Sequence, residues 1–294
     1  MPRVVVPAAE DLLDKEIPVL NKGFVRLVDY MGGDERIVQA ARVSYGAGTK
    51  KVSEDKGLIN YLMRNWHTSP FEQVQLTFHT KMPIFVARQW VRHRTARLNE
   101  ISGRYSIMRD EFYVPSPDEV RYQSTTNKQG RSDDALSPEE AARVIKLFEE
   151  EQQSIYTNYE GLLADNVARE LARMNLPLSL YTEWYWQIDL HNLFHFLRLR
   201  MDAHAQFEIR AYAQAMAKCA HAVAPMAYEA FEEHVLGAIT FSRGECRALA
   251  ALMDGREIEL SGRALAEFQE KVGRLKSGEI QPIAEGPQPV PAGT

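Results

Sequence analysis

The 294 residues are 45% hydrophobic and 26% charged, with 35 Lys and Arg against 40 Asp and Glu and a formal net charge of −5. This is the composition of a globular chain with ample apolar material for a core. Its acidic balance excludes bulk attraction to a nucleic-acid polyanion, so any anionic ligand must be recognised locally.

Along the chain, residues 1–21 read as an N-terminal extension, and the run MPRVVVPAAEDLLDKE turns acidic too early for a signal peptide. Lys22–Tyr30 alternates apolar and polar residues as a strand does. Gly32-Gly33 punctuates, and DERIVQAARVSYG predicts a helix stopped by Gly46. Lys56–Trp66 carries Leu58, Ile59, Leu62 and Met63 at helical spacing. Val74–Thr80 predicts a strand with Val74, Leu76 and Phe78 on one side. Pro83 suits the first turn of a helix running through Arg94. Residues 95–117 lose periodicity and read mostly as loop, and 123–136 as a polar, mobile segment.

Ser137-Pro138-Glu139-Glu140 has the pattern of a capping box and opens a helix to about Asn166. A further helix covers Leu171–Asn175 and ends near Pro177. Trp184–Met201 and His204–Val223 are expected to be helical, with Pro225 as a stop. Residues 241–280 form a partly helical extension, and the Pro- and Gly-rich 281–294 reads as a disordered tail. Cys219 and Cys246 cannot form a disulfide framework and fit a reducing, cytoplasmic setting; Cys219 is expected to pack in a helix. No apolar stretch is long enough to span a bilayer, so no membrane partner is expected. The fold class is α+β: a small mixed or antiparallel sheet and several long helices, with residues 22–240 as the main domain.

The densest polar run is Arg88 to Tyr105. It holds Arg88, Arg92, Arg94, Arg97 and Arg104 among the apolar Ile84, Phe85, Val86, Trp90 and Val91. On a continuous helix Arg88 and Arg92 share a face. Crowded guanidinium groups repel unless anions or carboxylates sit among them, and Arg pairs with phosphate bidentately. Ser102-Gly103 adds a hydroxyl donor beside a residue that permits close backbone approach. Anion binding is the better reading of this segment.

Arg92-His93-Arg94, seven residues and then Ser102 resembles the RHR-x7-S signature of flavin-dependent thymidylate synthases, with QWVRHR before it and Asn99, Glu100, Gly103, Arg104, Tyr105 and Ser106 within and after it. LMRNWHTSPFEQVQLTFHTKMPIFVARQW and ARMNLPLSLYTEWYWQIDLHNLFHFLRLRMDAHAQFEIRAYA resemble further blocks of that family, so the resemblance spans roughly residues 22–240. Arg97 departs from the Ser often found there. The resemblance implies reductive methylation of dUMP to dTMP, with methylenetetrahydrofolate as one-carbon donor, FAD as cofactor and NADPH as reductant, in a homotetramer whose sites form between subunits.

The resemblance also implies residue roles. FAD binding falls to His67, Ser69, Arg92, His93, Arg94, Glu100, Asp189, His191 and His195; at the last three, relatives commonly carry amide or Arg side chains. Contact with dUMP falls to Gln89, Trp90, Arg92, Glu100, Ser102, Gly103, Arg104, Arg173 and Arg200. Arg200 is expected to be catalytic, as a fixed cation stabilising charge that develops on the uracil imide. A flavin that supplies hydride removes the need for a thiol nucleophile. Ser102 lacks a dedicated base and is assigned to substrate binding.

Three bland alternatives compete with these roles. Arg198 and Arg200 could pair with Asp202 and Glu208 on a helix surface. His191 and His195, four residues apart with His204 nearby, resemble two zinc ligands, but HNLFH lacks the glutamate of HExxH; no metal is expected. Residues 88–104, with Trp90 and Tyr105, could stack on nucleic acid, which the acidic balance disfavours.

Overall fold

The computed structural model describes residues 4–43, 54–125 and 130–278. The expected helix stop at Gly46 and the tail 281–294 lie outside the described residues.

The chain opens with α1 (Pro7–Glu10), β1 (Glu16–Val19) and β2 (Gly23–Met31), followed by α2 (Asp34–Arg42) and α3 (Asp55–Arg64). Strand β3 (Gln75–Pro83) runs directly into α4 (Ile84–Trp90), and β4 (Arg97–Glu100) follows. A hairpin, β5 (Arg121–Gln123) and β6 (Arg131–Ala135), precedes the long α5 (Pro138–Ala164) and the short α6 (Arg169–Ala172). Strand β7 (Tyr181–Asp189) leads into α7 (Leu190–Arg200), α8 (Phe207–Val223) and α9 (Pro225–Phe231), and α10 (Arg243–Met253) and α11 (Gly262–Ser277) close the chain. No helix among the described residues is long and apolar enough to cross a membrane.

Five strands form one antiparallel sheet in the order β1-β2-β3-β7-β4. Its centre is the β3–β7 pair, in continuous register from Gln75 opposite Asp189 to Pro83 opposite Tyr181. Alternation sends Leu76 and Phe78 of β3, and Trp184, Trp186 and Ile188 of β7, to one buried face. Helices α4, α7 and α8 belong to the same core. Helix α8 is buried along most of its length, and its alanines (Ala211, Ala213, Ala215, Ala217, Ala220) combine high helix propensity with close approach to its neighbours.

The strands at Lys22–Tyr30 and Val74–Thr80 and the helix at Lys56–Trp66 fall where their periodicity put them. The α5 capping box is present as read: Ser137 Oγ accepts the Glu140 N–H, and the Glu140 carboxylate accepts the Ser137 N–H at 3.1 Å. Other elements differ. Tyr181–Asp189 is a strand rather than the start of a helix, because Thr182, Trp184, Trp186 and Ile188 alternate inward with period two. The helix expected through Arg94 stops at Trp90, where the fully buried indole anchors it, and Arg92 lies in the turn that follows; Arg88 and Arg92 therefore do not share a helical face. Arg97–Glu100 pairs with β7 although all four of its side chains are exposed. Much of the polar 123–136 stretch forms the β5–β6 hairpin.

Helix α8 ends at Val223, as the position of Pro225 predicts, and Pro225 also opens α9. The Asp34 carboxylate accepts the N–H groups of Met226 (2.8 Å) and Ala227 (3.0 Å) at that helix start, where free donors favour an anion. Within residues 1–21, β1 forms an edge of the main sheet, and Glu10 of α1 accepts the Tyr30 hydroxyl at 2.5 Å. Beyond α9, α10 and α11 build a small core of their own from Ala248, Phe268 and Val272, tied by Lys271 Nζ at 2.7 Å from Glu245 Oε1.

Candidate active site

Helix α7 is the spine of the site. Asp189 caps it, accepting the Asn192 N–H at 2.9 Å and the Asn192 side-chain amide at 2.8 Å. Leu193, Phe194, Phe196 and Leu197 point into the core, which leaves His191, His195, Arg198, Leu199 and Arg200 on the outer side. Those outer residues are shared among three grooves. The first, of about 470 Å³, sets His67 of the turn after α3 and the apolar Trp66, Phe71, Phe194 and Phe231 against His191, His195 and Arg198. The second, of about 940 Å³, faces Arg92, His93 and Arg94 toward His191, Asn192, His195 and Arg200. The third adjoins the helix end and α11.

Arg200 joins two distant parts of the chain. Its Nε donates to His93 Nε2 at 3.0 Å, and its Nη2 donates to the Gln89 carbonyl at 3.3 Å. Burial, with Arg200 and His195 beside it, pushes His93 down to about 4. His93 is therefore neutral at pH 7 and carries its proton on Nδ1, which leaves Nε2 free to accept. His195 is lowered by burial, then by His191, Arg198 and Arg200; burial lowers Arg200 as well. The site holds its cations in a partly dry, electropositive place, as a bound anion requires.

A second cluster gathers at the far end of β4. The Ile101 N–H donates to the Glu183 carbonyl at 2.9 Å, and Glu100 Oε1 accepts the Thr182 hydroxyl at 2.6 Å. The Ser102 carbonyl accepts the N–H groups of Tyr105 and Ser106, both at 3.0 Å, and Ser102 Oγ accepts that of Arg104 at 3.3 Å. Gly103 is buried, and a Cβ there would lie 3.1 Å from both Arg173 Cδ and Met108 Sδ, so the close approach of Arg173 depends on glycine. Arg104 pairs with Glu170 at 3.2 Å, and Arg169 donates to the Tyr105 carbonyl at 2.8 Å, holding this loop to α6. Arg173 itself is exposed, in the turn after α6.

The structure thus brings together two groups of the expected site residues: His67, Arg92, His93, Arg94, His191, His195 and Arg200 on the grooves along α7, and Glu100, Ser102, Gly103, Arg104 and Arg173 at the end of β4. The two are separated along β4, which pairs Arg97 with Gln187 and Glu100 with Trp184. Gln89 donates to Gln206, a neighbour that sequence reasoning missed because the two are far apart in the chain. Ser69 is exposed and lines none of the three grooves, and the Asp189 carboxylate is engaged in its cap. Trp90 departs most from expectation. Its ring is fully buried against Trp184, Trp186, Phe196 and Tyr212, where it presents no surface to a ligand.

Arg198 and Arg200 do not take the surface pairs weighed for them. Buried Glu208 is held by Arg131 and by the Tyr113 hydroxyl at 3.0 Å, and Asp202 accepts from His204. Among the described residues, no three His, Cys, Asp or Glu side chains gather as metal ligands would. Cys219 is fully buried in α8 and its thiol is pushed up to about 12 by that burial, so it is inert as a nucleophile; Cys246 is exposed in α10.

Residues 26–226 match the family described as thymidylate synthase complementing protein, and residues 239–277 match the thymidylate synthase ThyX C-terminal domain. The flavin-dependent thymidylate synthase of Treponema pallidum (strain Nichols) is 58% identical over 274 residues, covering 93% of this chain and 89% of that protein. Its counterpart in Treponema denticola is 60% identical over 266 residues, 90% of this chain and 99% of that one. Among solved structures, a UMP/dUMP methylase from Streptomyces cacaoi bound with 5-Br UMP has a TM-score of 0.67 at 34% identity, covering 74% of this chain and 97% of its own.

Proposed function

This chain belongs to the flavin-dependent thymidylate synthase family, and from that premise we propose how its residues divide the work. The enzyme methylates dUMP to dTMP, with methylenetetrahydrofolate as carbon donor and FAD, reduced by NADPH, as hydride source. One dUMP, one methylenetetrahydrofolate, one NADPH and a proton give dTMP, tetrahydrofolate and NADP+.

The residues along α7 fit FAD. Arg92 and Arg94 offer the planar, permanently charged donors that a pyrophosphate needs, with His191 and His195 opposite. Trp66, Phe71, Phe194 and Phe231 form an apolar wall suited to a flat ring system, with His67 at its edge. Bound there, reduced FAD supplies the hydride. Asp189 supports the same site through its helix cap, whereas Ser69 lies outside these grooves.

Ser102, Gly103, Arg104 and Arg173 hold the dUMP phosphate, with Gln89 and Glu100 placing the nucleotide and Trp90 fixing α4 from beneath. Arg200 faces the uracil. Its cation stabilises negative charge on the imide as C5 attacks the one-carbon unit, and its bonds to neutral His93 and the Gln89 carbonyl fix it before substrate arrives. That link between Arg92-His93-Arg94 and Arg200 is the observation that carries the assignment. Inert Cys219 supports a route without a thiol adduct.

The two residue clusters at opposite ends of the exposed strand β4 favour sites completed by neighbouring chains in a homotetramer. Two free thiols, Cys219 and Cys246, favour a cytoplasmic setting.

The visible absorbance of purified protein, followed through anaerobic reduction by NADPH and addition of dUMP and methylenetetrahydrofolate, tests this reading. Flavin absorbance that bleaches and then returns as dTMP forms is the expected result. A protein that refuses added FAD contradicts it.

A further inference from the structure

The third groove, at the C-terminal end of α7, shares Arg200 with the site assigned above, but its other residues have no part in those assignments. It is open to solvent and spans about 1250 Å³, and its charged lining is Arg198, Arg200, Asp202, Lys271 and Arg274. Two of these charges are already engaged. Lys271 Nζ lies 2.7 and 2.9 Å from the two Glu245 oxygens, and Asp202 accepts the backbone N–H of His204 at 2.8 Å, with the His204 ring at 2.9 Å. Arg198 and Arg274 have no carboxylate in ion-pair reach among the described residues. Leu199, Leu236 and Ile239 supply apolar wall to the same groove. Leu199 and Arg200 line both this groove and the second one, so the two adjoin along the end of α7.

The groove therefore joins the reacting end of the site to apolar wall and unneutralised guanidinium groups. A reagent that reacts beside Arg200, carries a flat aromatic middle and ends in carboxylates matches that combination. Methylenetetrahydrofolate has this build: a reactive pterin, an aminobenzoyl ring and a glutamyl tail. NADPH matches less well, because its pyrophosphate would lie against the apolar wall.

We propose that α11 seats the glutamyl tail of the folate, with Arg274 and Arg198 on its carboxylates, so that the C-terminal helices belong to the substrate site. The inference rests on the dTMP-forming reaction proposed above. It gives α11 a task shared with Arg198 of α7.

Calorimetric titration of the dUMP-bound holoenzyme with folic acid and with its triglutamate, neither of which can donate the one-carbon unit, tests it. The natural chain should bind the triglutamate about tenfold more tightly. Arg274→Glu should abolish that advantage and Arg274→Gln reduce it, while Lys276→Glu, on the same helix but outside the groove, keeps it. Equal affinity for the two folates in the natural chain, or an advantage that survives Arg274→Glu, overturns the proposal. Weakened NADPH binding in Arg274→Glu with the tail advantage intact also overturns it and gives the guanidinium to the nicotinamide cosubstrate. Formation of dTMP by the natural chain is followed in parallel: its absence removes the functional reading, whereas dTMP formed without a tail advantage removes only this inference.

Discussion

Individual residues here are tuned by what surrounds them. Arg200 sits half-buried and pre-bonded, so Arg200→Ala should lower dTMP formation about 100-fold or more while the protein still takes up FAD. Turnover near the natural rate, with flavin bound, would show that the guanidinium is not the imide's partner. His93 gives a pH signature. Its ordinary value of 6.5 falls to about 4 in the fold, so in acid the unfolded chain takes up the proton first. Stability held above pH 6.5 should decline as the pH falls, with the loss levelling off below about 4. Thermal unfolding from pH 7 to 4.5 should therefore fall less steeply in His93→Gln than in the natural chain, and parallel curves would contradict the assignment. His195, lowered first by burial and then by His191, Arg198 and Arg200, adds to the natural slope.

At the scale of elements, Arg131 ties the β5–β6 hairpin to α8. Arg131 reaches Glu119 at 2.8 Å and also pairs with Glu208, whose side chain is 1% exposed. Arg131→Ala would leave that carboxylate buried beside Tyr113 without its cation, at a cost of about 3 kcal/mol or more in unfolding free energy. Chemical denaturation of the variant measures it, and a loss below about 1 kcal/mol would mean that Glu208 finds another partner. How far each element was legible in the sequence follows from the same physics. The α5 start was legible because capping is local: Ser137 and Glu140 need only each other. The Arg92-His93-Arg94 run and Ser102 were legible as a spacing. Strand β7 was hidden because its aromatic and apolar residues satisfy helical and strand periods alike, and only pairing with β3 decides between them. Strand β4 was hidden because its exposed side chains leave no alternation to read. Trp90 was misjudged because a ring inside a motif is not distinguishable by sequence from a ring beneath it. The part played by Arg274 was invisible, since no local pattern connects α11 with α7.

For the whole molecule, the question is how two clusters at opposite ends of β4 serve one reaction. The homotetramer proposed above would answer it by letting one chain's α7 face another chain's Ser102–Arg104 loop. Light scattering of the holoenzyme should give the mass of four chains, and activity should fall on dilution into the range where the assembly dissociates. A fully active single chain would require both clusters to serve dUMP alone. The placement of α7 also fixes its rotational phase. Its inner residues are locked into the core, and each residue advances the helix by about 100°. A single residue inserted near Asn192 would leave composition and charge almost untouched. Beyond the insertion, however, residues would change sides: His195 would take the buried place of Phe196, while Phe194 and Leu197 would take the exposed places of His195 and Arg198. The helix should therefore tolerate substitution at His191, His195 or Leu199 far better than any change in its length.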